Sequence, residues 1–207
     1  MRSRAAIVAA VACVAIACSV GQGQGTARGA VVFPDCRLNN PNYDLRPDFF
    51  AADFANDPVT TTGPRRQILQ IRVQRGSYGE WASDGLSILV RDVDPIARAL
   101  AAGSAPTAIP IGTDQQVEMT LYLGESCPSG FPSAGFYVVP AILSAVRGTI
   151  TFTAIYAPDV APNAIAINAH FDGVRFEDGA TPTTRSADLN GSIAFYYQRG
   201  RPAQHFP

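Results

Sequence analysis

Apolar and polar residues alternate most regularly in the last third of the chain, residues 147–198. Three runs there, 148–156, 165–172 and 188–197, place apolar side chains at every second position. Successive side chains on a strand point to opposite faces, so each run predicts a β-strand with one apolar and one polar face. Gly173 shifts the apolar positions that follow the second run, which predicts a β-bulge or a bend there.

Shorter apolar runs upstream predict further strands, and only one segment predicts a helix. Asp94 and Pro95 suit a helix start, with Asp94 as the cap, and Gly103 suits its end. Residues 26–58 are rich in turn residues and predict a loop-rich lead-in with one short strand. The further strands are expected at 30–33, 68–75, 86–90, 116–123 and 136–146. Without a strand–helix–strand rhythm, the pattern predicts an all-β fold: an antiparallel β-sandwich, with a barrel as the second choice.

The N-terminus has the organisation of a secretory signal peptide, predicted for residues 1–21. A basic head, Met1 to Arg4, precedes a charge-free apolar run from Ala5 to Ala17, and small residues follow. The apolar run is shorter than the roughly 20 residues that a membrane-spanning helix needs. We therefore expect an exported protein, in the cell envelope or secreted.

The segment Ala15-Ile-Ala-Cys18 resembles the lipobox of bacterial lipoproteins, although Ala15 stands where leucine is usual. The resemblance implies cleavage at 17/18 and lipid attachment to Cys18, which we favour. The alternative is ordinary signal-peptidase cleavage, after Ala17 or at 21/22. Residues 22–29 are then expected to form a Gly-rich flexible linker, and 30–207 a single domain.

Two cysteines remain outside the signal, Cys36 and Cys127. An even number in an oxidising compartment predicts a disulfide, with two separate buried thiols as the alternative. The spacing matches neither a zinc site nor a redox Cys-x-x-Cys motif, so we predict no metal and no cofactor.

The charge balance argues against nucleic-acid binding. The chain has a formal net charge of -1, and loss of Arg2 and Arg4 with the signal leaves 14 basic and 17 acidic side chains. A basic stripe, the electrostatic footprint of nucleic-acid binding, is missing from the sequence. Contact with a membrane is expected only through the possible lipid anchor.

The loop of residues 75–85 carries the residue types that sugar sites use. Tyr78 and Trp81 offer flat apolar faces, and Glu80 and Asp84 offer carboxylates for hydroxyl groups. Two carboxylates can also serve as acid and base in glycoside hydrolysis. The alternative, which we favour, is that Trp81 plugs the open end of the sandwich.

Other candidate chemistry is weaker. His170 and Asp172 share a strand face and could form a metal pair or an acid–base couple, but a solvated polar face is favoured. The segment around Ser126 resembles a nucleophile elbow, but Pro128 stands where the motif has its second glycine, so a turn is favoured. The acidic segments 92–94 and 172–178 do not match a calcium-binding loop.

Two C-terminal strands carry a family resemblance. Gly148 to Thr153, of the form Gly-x-Ile-x-Phe-Thr, and Leu189 to Phe195 resemble strands of uncharacterised bacterial lipoproteins with a β-sandwich. The resemblance implies a cell-envelope β module and brings no known active site. We expect a non-catalytic binding or structural role, with a glycan or an envelope protein as partner. The alternative is a secreted glycan-directed hydrolase that uses the 75–85 loop.

Overall fold

A computed structural model of the 207-residue chain describes residues 23–34, 38–56, 66–76, 83–129 and 139–197. These residues form ten strands and one helix. The elements are β1 (Gly23–Phe33), β2 (Leu38–Leu45), β3 (Phe49–Asn56), β4 (Gln67–Gln74), β5 (Asp84–Val90), α1 (Asp94–Ala101), β6 (Ile109–Pro110), β7 (Val117–Ser129), β8 (Val139–Ala154), β9 (Ala166–Glu177) and β10 (Ser186–Tyr196). The predicted all-β class with one short helix is confirmed.

All strands belong to one antiparallel sheet that curls strongly into a half-barrel. The order is β2-β1-β10-β9-β8-β7-β5-β4-β3, and β6 pairs with β8. Hydrogen-bonded pairing continues through this order without a break, so the described strands form one sheet rather than two. The sandwich form of the prediction is therefore not confirmed, because alternation along each strand is the same in a curled sheet and in a sandwich.

The two edge strands, β2 and β3, are consecutive in the chain and are joined by residues 46–48. The curl brings the β3 edge against strands from the other side of the sheet. The Phe50 ring of β3 lies 5.5 Å from the ring of Phe195 on β10. The Phe54 ring lies 5.3 Å from both Tyr156 and Tyr197. These aromatic contacts form a seam where the β3 edge meets β10 and the residues that follow β8 and β10.

The interior follows the period-2 pattern of the sequence. On β4, Leu69, Ile71 and Val73 are fully buried, whereas Gln70 and Arg72 between them lie on the outer face. The same alternation holds through β8, β9 and β10, whose inner side chains join one core cluster. Burial of these side chains supplies the main favourable term in folding.

Strand β1 replaces most of the flexible linker that the sequence predicts for residues 22–29. From Gly23 onward the backbone pairs with β10 on one side, and β2 pairs on the other side from Ala27. A strand between two neighbours is held by backbone hydrogen bonds, which do not depend on apolar side chains. The small residue Gly25 also lets Pro47 and Phe50 pack close to the strand.

The predicted bulge at Gly173 is confirmed. The register between β9 and β10 shifts there by one residue, and Gly173 has a φ of 58°. The Gly173 amide donates to Asn190 Oδ1 at 2.7 Å, so the extra residue keeps a hydrogen-bond partner. The shift keeps both Phe171 and Val174 in the interior.

The helix is confirmed but starts one residue earlier than predicted, and it is capped differently. Asp94 lies inside the first turn, and Val93 occupies the N-cap position without a side-chain cap hydrogen bond. The Asp94 carboxylate instead accepts from Arg98 at 3.0 Å, one turn further on. Gly103, with a φ of 76°, follows the helix end as expected.

Candidate functional site

Asp84 is the one candidate ligand-binding residue of the 75–85 loop that the structure describes. Tyr78, Glu80 and Trp81 lie outside the described residues. Asp84 begins β5, points into the half-barrel and has no exposed surface. It therefore does not present its carboxylate to solvent.

Both Asp84 oxygens are already occupied by protein donors. Oδ1 accepts from the backbone amides of Glu125, at 3.0 Å, and Ser126, at 2.9 Å. Oδ2 accepts from the Tyr43 hydroxyl at 3.0 Å and from the Ser126 hydroxyl. A carboxylate has about four acceptor positions, so none is left for a ligand hydroxyl.

The reason for this arrangement is an irregular bulge in β7. Leu123 pairs with Ala141 of β8 and Pro128 pairs with Pro140, so residues 124–127 have no partner across that ladder. Buried amides without a hydrogen bond are costly, and Asp84 supplies an acceptor for two of them. The carboxylate thus holds the bulge in shape.

Tyr43 joins this cluster from β2, on the far side of the seam. Burial raises the pKa of the Tyr43 phenol, and the negative charge of Asp84 raises it further. The phenol is therefore a neutral donor throughout the physiological range. Arg75 connects the same strands from outside: it donates to the Asp44 carbonyl at 2.8 Å and pairs with Glu125 at 3.3 Å.

Ser126 and Asp84 resemble part of a nucleophile–base pair, but their surroundings do not support acyl transfer. The Glu125 and Ser126 amides, which would be the nearest oxyanion donors, already bind Asp84. His170, the histidine that the structure describes, lies on the outer face of β9 rather than in the interior. The hydrogen bonds of this cluster instead connect β2, β5 and β7.

His170 and Asp172 do share the outer face of β9, as the alternation predicts. Their nearest side-chain atoms, Nε2 and Oδ2, are 3.9 Å apart, and the side chains are 50% and 67% exposed. The cross-strand neighbours of His170 are Thr151 and Ser192. Within the described ranges no group of three or more His, Cys, Asp or Glu side chains could hold a metal ion.

A shallow depression of about 350 Å³ lies on this outer face, where β1 begins. Tyr196, Gln24 and Asn168 line it together with the small residues Ala166 and Ala194. These residues come from three strands, so no local motif identifies them. The sequence feature that could have indicated this depression is Tyr196, a large aromatic residue at a position on the polar face of its strand.

A second depression, of about 410 Å³, lies beside the β6–β8 pair. Its lining includes Ile111, Thr113, Gln115, Val146 and Arg147. Arg147 is exposed there and is the only charged residue in the lining that the structure describes.

The remaining sequence predictions concern the cysteines, the predicted disulfide and the predicted lipid anchor. Cys127 is buried, with 3% of its surface exposed, but Cys36 and Cys18 lie outside the described residues. Their pairing and lipidation therefore stay predictions. In the part of the chain that the structure describes, no helix has the length and apolarity to span a membrane.

Comparison with known proteins identifies no relative: no family model, no curated protein and no solved structure matches this chain.

Proposed function

We propose that this protein is an exported β module of the cell envelope or extracellular medium, with a non-catalytic binding or structural role. The scaffold of the module is the single curled sheet, in place of the β-sandwich that the sequence predicts. The observation that carries the non-catalytic role is the state of Asp84, whose carboxylate is buried and fully engaged in holding the β7 bulge.

The same observation argues against the alternative, a hydrolase with Glu80 and Asp84 as a catalytic pair. A general acid or base must reach the substrate, and a carboxylate with four protein donors in the interior has no free position to do so. We therefore assign Asp84 a structural role, as the acceptor that holds the β7 bulge.

The experiment that tests the non-catalytic role measures product release. The mature protein is incubated with soluble neutral and acidic polysaccharides, and new reducing ends are counted over time. We expect none above the buffer blank. Release of reducing ends by the wild-type protein that Glu80→Gln abolishes would overturn the proposal.

Export rests on the basic and apolar N-terminus and is tested by intact mass. The protein is purified from the membrane and medium fractions of its native host without reductant. We expect a membrane species that begins at Cys18 and carries acyl mass. A soluble species that begins at Gln22 would replace the lipid-anchored form by a secreted one, and an unprocessed chain retained in the cytoplasm would refute export.

Lipidation would also fix the position of the sheet relative to the membrane. Cys18 precedes Gly23, the first residue of β1, by five residues. A fully extended chain spans at most about 3.6 Å per residue, so the anchor would hold the start of β1 within about 18 Å of the lipid surface.

A further inference from the structure

We propose that the outer face of β1, β10 and β9 binds a neutral glycan chain, with Tyr196 as the stacking platform and Gln24 and Asn168 as the hydrogen-bonding groups. The inference rests on the proposed non-catalytic binding role and assigns it a site and a ligand class. It concerns the depression at the start of β1, which we call the outer groove and define by Gln24, Ala166, Asn168, Ala194 and Tyr196.

Tyr196 is the first observation. Its surface is 60% exposed, the largest exposed fraction among the large hydrophobic side chains of the described residues. It stands on the polar face of β10, opposite the small residue Ala166 of β9. An exposed, rigid aromatic ring provides apolar contact area at low conformational cost, and a pyranose offers a flat apolar face of matching size.

The two amides are the second observation. Gln24 of β1 and Asn168 of β9 both pair with Ala194 of β10, from opposite sides. The strands are about 4.8 Å apart, so the amides flank a gap of roughly 10 Å above the Ala194 methyl group. No side-chain hydrogen bond within the described residues occupies either amide, so each offers a donor and an acceptor. Sugar hydroxyls also donate and accept, and such paired groups suit them.

The charge of the surroundings selects a neutral ligand. The groove itself contains no charged side chain, and the next row along the sheet is Thr26, Ser192 and His170. Along β1, β9 and β10, as far as the structure describes them, the first charged side chains beyond this row are Arg28 and Asp172, and Arg28 is bound to Asp44 at 3.0 Å. From the Tyr196 row to the His170 row the sheet extends roughly 13 Å, the scale of a short oligosaccharide rather than of a single sugar.

The test is a binding titration of the complete mature protein with neutral soluble glucans of α-1,4 and β-1,4 linkage. Polygalacturonate is the charged comparison, and affinity electrophoresis or calorimetry is the readout. We expect saturable binding of at least one neutral glucan and weaker binding of polygalacturonate. Tyr196→Ala should weaken binding about tenfold or more, and Asn168→Ala several-fold, with unchanged melting temperatures.

Val146→Ala is the matched control, because Val146 is also an exposed apolar residue but lines the other depression. We expect it to bind as the wild type does. Tyr196→Phe should keep most of the affinity, since the ring remains.

Four outcomes would overturn the inference. They are equal binding by Tyr196→Ala and the wild type, preference for polygalacturonate, no binding of any neutral glucan, or a self-association that Tyr196→Ala abolishes. None of these outcomes bears on the proposed non-catalytic role, which fails only if the wild-type protein releases reducing ends and Glu80→Gln abolishes that release. The two failures are therefore separate.

Discussion

The Tyr43 hydroxyl donates to Asp84 Oδ2 at 3.0 Å, inside the half-barrel, from a residue 41 positions earlier in the chain. Tyr43 lies on the edge strand β2, and Asp84 lies on β5 on the other side of the seam. This hydrogen bond therefore joins the two sides of the sheet where backbone pairing is interrupted. The same carboxylate also holds the β7 bulge, so one side chain supports both irregular features of the fold.

Replacing Asp84 should destabilise the protein strongly. Asp84→Ala removes the acceptor of two backbone amides and of the buried Tyr43 hydroxyl, and unsatisfied buried groups cost about 1–3 kcal/mol each. We expect a loss of about 3–5 kcal/mol in the free energy of unfolding, measured by urea denaturation. Asp172→Ala, on the exposed face, is the control and should change it by about 0.5 kcal/mol or less. Similar midpoints for the two variants would contradict the structural role.

Stability should fall at high pH because of Tyr43. Its pKa is raised in the folded protein, chiefly by burial and then by Asp84, while the unfolded chain has the ordinary value of 10.0. Above about pH 10 the unfolded chain therefore loses the phenol proton and the folded protein keeps it. The contribution is fully present below pH 10 and decreases above it by about 1.4 kcal/mol per pH unit.

The measurement is urea denaturation between pH 8 and 11, on the wild type and on Tyr43→Phe. The variant should be less stable at pH 8, because it loses the hydrogen bond, but should have a shallower decline above pH 10. Tyr122 has a raised pKa as well, from burial opposed by Arg72, so Tyr122→Phe shows how much of the remaining slope it carries. Identical slopes in the wild type and Tyr43→Phe would exclude the effect.

Gly191 should not tolerate a side chain. A Cβ at this position would lie 2.0 Å from the Thr26 carbonyl oxygen and 2.4 Å from Cζ of Phe171. Gly191→Ala forces the backbone of β1 or the Phe171 ring to move, and we expect a loss of about 1–3 kcal/mol. Gly112→Ala is the control, since its nearest contact would be 3.4 Å, at the flexible Gln115 side chain. Thermal melts of both variants decide the question, and equal melting temperatures would refute the steric argument.

The disulfide between Cys36 and Cys127 stays a prediction from the even number of mature cysteines, because Cys36 lies outside the described residues. In the unreduced, denatured protein we expect neither thiol to react with an alkylating reagent, and both to react after reduction, as read by intact mass. Loss of the bond in Cys36→Ser should destabilise the fold by roughly 4–5 kcal/mol. Alkylation of both thiols without reductant would rule the bond out.

The parts of the fold that the sequence predicts are those in which side-chain period and burial agree. The C-terminal strands, the Gly173 bulge and the helix position follow from local alternation and from turn residues. The sequence does not predict strand β2, because Asn39, Pro41 and Asn42 are turn residues. An edge strand tolerates proline and asparagine, since one side of its backbone has no partner.

The candidate site could not be predicted for a different reason. Asp84 is visible in the sequence as a carboxylate on a loop with aromatic residues, but its donors come from β2 and β7, far away in the chain. The outer groove likewise combines positions near 24, 168 and 196 that only the strand order brings together. Alternation assigns a residue to a face, whereas the order of strands decides its neighbours.

The pairing of β1 with β10 has a consequence for when the protein can fold. Gly23 pairs with Phe195, so the first described strand needs the last one to complete its ladder. During synthesis β1 and β9 would both keep an unpaired edge until nearly the whole chain has emerged. Contacts between the ends of a chain also slow folding, because chain entropy is lost in bringing the ends together before their contacts can stabilise the structure. The nascent protein would therefore stay in an incompletely folded form through most of its synthesis.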